Sequence, residues 1–147
     1  MNTKEIKKLR EATGVGVMDC RQAFVEANGD FDKALEIIRK KGLVKAEGKI
    51  NRQTSAGLII SYIHNEKIGV LLEIHCETDF VAKLDSFKEL AKQIAMQIVA
   101  MNPQNTEELM KQLYIKDESI IIGDLIKGLI VKTGENIQVY RFCRYAL

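Results

Sequence analysis

The chain has 147 residues, a formal net charge of +2, 46% hydrophobic residues and 29% charged residues. That composition fits a globular chain with enough apolar area for a core, built as one ordinary domain or one medium domain with a small appendage. The near-neutral balance excludes a large field aimed at nucleic acid or an acidic membrane, and the scattered aromatics offer no stacking platform.

The first residues, "MNTKEIKKLREATG", are charged and amphipathic, with no apolar h-region. No stretch approaches the roughly 18 apolar residues of a membrane span. Cys20, Cys76 and Cys143 are odd in number and far apart, so neither a disulfide framework nor a CxxC zinc site is available. These features predict a cytoplasmic protein, in a bacterial cytoplasm or the equivalent organelle compartment, with no membrane partner.

Residues 3–42 predict three short helices. The first, "KEIKKLREATG", sets Ile6, Leu9 and Arg10 on one side and stops at Gly14, which can take a left-handed turn. After the connector "GVGVMDC", a second helix carries Met18, Ala23, Phe24 and Ala27 as its apolar set and ends at Asn28-Gly29. Asp30 is placed to N-cap the third, where Phe31, Ala34, Leu35 and Ile38 recur at i, i+3, i+4, i+7. Asp32 near its start and Arg39, Lys40 and Lys41 before Gly42 complement the helix dipole. Residues 43–56 lose the periodicity and predict a linker, partly helical, whose basic residues fit a solvated face.

The pattern then changes to period two. Residues 57–64 and 68–76 predict two strands joined by "NEK", the second with Ile68, Val70, Leu72, Ile74 and Cys76 on a buried face. Ser86 and Glu89 have capping-box spacing ahead of a helix that buries Phe87, Leu90, Ala91, Ile94, Ala95, Ile98 and Met101, and Asn102-Pro103 ends it. A short helix over "TEELMKQLY", a further helix from Gly123 to Thr133, and a closing strand with Ile137 and Val139 complete the chain. The expected fold is α+β: a three-helix bundle at 1–42, the 43–56 linker, and a 57–147 core of three-stranded antiparallel sheet covered by helices.

Catalytic chemistry needs converging reactive groups, and none converge here. His75 and Cys76 are adjacent on a strand and so point to opposite faces, and Cys76 is better placed in the core. His64 has no second ligand at metal spacing. The glycines of "TGVGVMDC" follow no strand and precede no Lys-Ser/Thr pair, so they are turn formers rather than a phosphate cradle. The expectation is a protein that is not an enzyme and uses no metal or cofactor. Binding remains. Phe80 lies four residues beyond Cys76, after Thr78 and Asp79, which favour a turn or helix start. Aromatics at such corners are more often core than not, yet Phe87 already supplies the aromatic for the following helix. A ring on a rigid corner is also what a protein–protein anchor requires.

At this point motifs add to the residue pattern. "TGVGVMDCRQAFVEANGDFDKALEIIRKKG" closely resembles the N-terminal signature of the elongation factor Ts family, "HCETDFVAK" its second signature, and "GENIQVYRFCRYAL" the closing strand of its short bacterial form. The resemblance runs over nearly the whole chain. It implies a ubiquitin-associated (UBA)-like fold for the helical unit and guanine-nucleotide exchange on the translation GTPase elongation factor Tu. It further implies that Thr78, Asp79, Phe80 and Val81 reach the partner's G domain and dislodge its Mg²⁺, with Arg10, Val17, Met18 and the Gly134 turn as additional contacts. Two departures stand out: the linker lacks the family's Ala/Lys-rich run, and the stretch after Pro103 is short. Longer members carry two copies of the core, so the single copy here implies a homodimer paired through the sheet. Two other classes stay open: a UBA-like interaction module without exchange activity, and an RNA-binding protein using the basic linker. The exchange function implies no direct nucleic-acid contact.

Overall fold

The computed structural model describes residues 3–147; Met1 and Asn2, which the sequence places in the first helical unit, lie outside the described residues. Helix α1 (Thr3–Thr13) ends where Gly14 turns left-handed and its N–H donates to Arg10 O at 2.8 Å. Helix α2 (Val17–Glu26) buries Cys20, Ala23 and Phe24, and its C-cap Ala27 continues the buried row at i+7. Met18, expected in that apolar set, is instead 71% exposed, because a step of two residues from Cys20 turns it to the opposite side. Helix α3 (Phe31–Glu47) is capped as expected by Asp30, whose carboxylate accepts from Lys33 N at 3.1 Å.

Gly42, expected to end α3, lies inside it. The reason is packing: a Cβ at Gly42 would sit 3.2 Å from Val131 Cγ2, so the glycine lets α3 approach another helix closely. The extra turn carries Ala46 into the core of the sheet layer, while the first half of α3 packs with α1 and α2 around Leu9, Phe24 and Ala34. One helix therefore serves two hydrophobic clusters.

Strands β1 (Ala56–His64) and β2 (Ile68–Cys76) form an antiparallel hairpin through Asn65-Glu66-Lys67, with Asn65 and Glu66 both at positive φ. The single helical turn α4 (Asp79–Ala82) leads into the long helix α5 (Asp85–Met101), which buries Phe87, Leu90, Ile94 and Ile98 on the sheet. The capping box expected from Ser86 and Glu89 is absent: Leu84 is the N-cap, and Ser86 already lies in the first turn. Asn102 takes the left-handed C-cap position before Pro103. Met101, expected in the buried set, is half exposed at that end.

Next come α6 (Thr106–Lys111), a small hairpin of β3 (Leu113–Tyr114) and β4 (Asp117–Ile121), then α7 (Ile122–Thr133) and β5 (Ile137–Ala146). Strand β5 pairs antiparallel with β2, so the sheet order is β1-β2-β5 with β2 central. The fold is thus α+β, as the sequence predicts. Hairpin β3–β4 carries no period-two signal of its own. It is held by Gln97 of α5, a fully buried amide that donates to Leu113 O at 3.0 Å and accepts from Ile115 N at 3.0 Å. Gln97→Ala would strand both backbone groups, and thermal unfolding should report a loss of about 1–3 kcal/mol.

The sheet covers its core with one face and turns the other outward. Ile59, Ile63, Leu71, Tyr140 and Tyr145 are exposed there, around an ion cluster in which Glu73 accepts from His75 and Arg141. His75 first and Arg141 second hold the Glu73 carboxyl below its ordinary range, so the cluster's contribution persists at neutral pH and fades as pH falls through that lowered value. His75 also stacks on Tyr140, with ring centroids 4.6 Å apart.

Candidate functional site

The strand-to-helix corner at residues 77–81 is built from three local choices. Thr78 has an extended backbone and N-caps α4, its Oγ1 accepting from Val81 N at 3.5 Å. Val81 is 6% exposed and Ala82 is buried beside it, so the end of the turn is rooted in the core. Phe80, between the cap and the root, points away: its side chain is 87% exposed. Thr78 and Asp79 are exposed with it. Of the four residues, three therefore face solvent, while Val81 holds the turn in place. Phe87, seven positions on, is fully buried and supplies the aromatic that the core needs.

A second layer fixes the corner from behind. Helix α7 ends at Gly134, which takes φ +75° as its C-cap and donates its N–H to Ile130 O at 2.8 Å. The next residue, Glu135, clasps Thr78 with both oxygens: Oε1 accepts from Thr78 N at 2.9 Å and Oε2 from Thr78 Oγ1 at 2.7 Å. Asn136 N donates in turn to Glu77 Oε1 at 2.7 Å. The two dipeptides, 77–78 and 135–136, thus bond each other reciprocally. Asn136 is buried, and its amide donates to Ile50 O at 3.2 Å and Arg52 O at 2.9 Å, tying in the segment between α3 and β1. Arg52 completes the ring, 3.7 Å from Glu77 and donating to Gly134 O at 3.4 Å.

One N-terminal residue approaches α7 near its end. Gly14 faces α7, with a Cβ there lying 3.4 Å from Lys132 Cγ, two residues before Gly134. Val17 and Met18 follow at the exposed start of α2, and Arg10 is exposed on α1. The end of α7 thus joins Gly134 to Thr78–Val81 through Glu135, while Arg10, Val17 and Met18 stand exposed on α1 and α2. Glu77, Glu135, Asn136 and Arg52 escaped the sequence reading, since Glu135 and Thr78 lie 57 positions apart and only folding pairs them.

Reactive groups near the corner are quenched. Burial first, and the Glu135 charge second, push the Cys76 thiol up, and its S–H donates to Thr78 O at 3.1 Å. Among the described residues no three His, Cys, Asp or Glu side chains are grouped to hold a metal ion, and no helix is long and apolar enough to cross a membrane. The corner thus carries an exposed aromatic ring on a braced turn, in a protein of the α+β class.

Comparison with known proteins gives the class its family. The profile described as Elongation factor TS matches residues 77–147, which begin at this corner. An elongation factor Ts of Fervidobacterium nodosum is 44% identical over 98% of this chain and 96% of its own length. One from Thermotoga maritima is 44% identical over 97% and 94%, and one from Rippkaea orientalis 39% identical over 100% and 78%. The chain belongs to the elongation factor Ts family. The Fervidobacterium alignment runs over 190 positions against 147 residues here, so this chain is an abbreviated member.

Proposed function

We propose that the chain is a guanine-nucleotide exchange factor for elongation factor Tu, acting through the Thr78–Val81 corner. The observation that carries the proposal is the 87% exposure of Phe80 on a turn whose neighbours are anchored. A bound guanine nucleotide is held by phosphate-loop amides and by Mg²⁺ bridging its phosphates. An exchange factor accelerates release only by preferring the partner without nucleotide or metal. In the proposed mechanism Phe80 enters an apolar crevice of the G domain and displaces the elements that hold the Mg²⁺. Thr78 and Asp79 make polar contacts at the rim, while Arg10, Val17, Met18 and the Gly134 turn touch the same partner. Fluorescent GDP loaded on elongation factor Tu should leave faster when the chain is added; an unchanged release rate would remove the proposal.

Helix α3 argues against an isolated UBA-like module. Cutting after residue 42 divides the helix, removes Ala46 from the core, and separates Gly42 from Val131. A linker that binds RNA would show affinity falling steeply with salt.

The outer sheet face supports self-association as part of the proposal. Apolar side chains cluster there around Leu71 on the central strand, opposite Ser61 and Cys143. Light scattering at micromolar concentration should give about twice the 16.6 kDa chain mass, and Leu71→Lys should return it to the single-chain value. A wild-type monomer would refute the pairing.

A further inference from the structure

We infer, on the basis of the exchange function proposed above, that Glu135 is the positioning residue for Phe80, setting where the ring stands when the partner arrives. With 87% of its side chain exposed, Phe80 has little of its own protein to lean on, so its position is inherited from the turn. One end of that turn is rooted by Val81 in the core. The other end, Thr78, is itself exposed, two residues beyond buried Cys76, whose S–H donates to the Thr78 carbonyl. Its N–H and hydroxyl are held together by one carboxylate, at 2.9 and 2.7 Å. Two bonds from a single planar group restrict both the backbone and the side chain of Thr78, and charge-assisted bonds are the stronger kind.

The grip has a firm base. Glu135 N donates to Thr133 Oγ1 at 3.3 Å, and Gly134 caps α7 just before it. Asn136, just after it, is buried and bonded to Glu77 and to the segment at Ile50 and Arg52. The carboxylate is therefore attached to helix, strand and connector at once. The same arrangement places the ring two residues away, since a docking group must be held near its productive geometry by its supporting shell.

The experiment measures stimulated GDP release from elongation factor Tu with the full chain and its variants, each confirmed folded by circular dichroism. Glu135→Ala should lower stimulation about tenfold, the ordinary effect of losing hydrogen bonds to a charged group. Glu135→Gln should recover most of it, because its amide can accept from Thr78 N and donate to Thr78 Oγ1. In a Phe80→Ala background, Glu135→Ala should add no further loss, since a positioning residue has nothing left to position. Wild-type stimulation in Glu135→Ala, a Gln variant as poor as the Ala variant, or fully multiplicative losses would each overturn the inference. If Phe80→Ala alone keeps full stimulation, the exchange mechanism fails, and the positioning role falls with it. Loss in Phe80→Ala with wild-type activity in Glu135→Ala condemns only the positioning role.

Discussion

Phe80→Ala is expected to lower stimulated GDP release from elongation factor Tu by roughly ten- to a hundredfold, the equivalent of burying one phenylalanine side chain at about 1.5–3 kcal/mol. The loss should fall on stimulation alone. Because the ring is 87% exposed in the free chain, removing it takes away little of the protein's own packing, and the unfolding midpoint should hardly move. Leucine at the same position should keep part of the effect through its apolar volume, whereas a charged residue should keep none. The readout is fluorescent-GDP dissociation across a titration of each variant, with thermal unfolding measured in parallel. Full stimulation by the alanine variant would refute the assignment of the ring.

Phe87→Ala should do the reverse. The side chain is fully buried in the cluster that joins α5 to the sheet. Truncation removes its transfer energy and leaves a cavity, together costing about 3–5 kcal/mol. For a chain of this size that corresponds to a fall in unfolding midpoint on the order of 10 °C. At temperatures where the variant remains folded, stimulation per folded molecule should stay close to wild type, since Glu135 holds the corner from outside the cluster that Phe87 and Val81 share. An unaltered midpoint would show that α5 is not packed as described. Two phenylalanines seven positions apart thus have opposite expected losses.

That contrast was partly legible before folding. A corner aromatic is more often core than not, and only Phe87, already supplying the aromatic of the following helix, points Phe80 outward from sequence. The three-helix unit was legible because caps, dipole charges and apolar spacing agree locally around Asp30, Ala34 and Ile38. Gly42 failed as a stop signal because its meaning is tertiary: Val131 demands the close approach that a glycine permits. A methionine beside an apolar face looks like part of it, and only the phase set by buried Cys20 turns Met18 outward. Hairpin β3–β4 has no period-two signal to read, and its backbone bonds to Gln97 on α5 arise only on folding. Glu135 was equally hidden, its partner being far away along the chain.

The central claim concerns a preference between two states of a partner, and affinity measures it most directly. Titration calorimetry should be run with elongation factor Tu loaded with Mg²⁺ and GDP, and again with the nucleotide removed. Linkage requires the chain to bind the empty partner more tightly by the same factor with which it weakens GDP. A factor of ten or more, lost on Phe80→Ala, is the expected result. Equal affinity for the loaded and empty partner would contradict it.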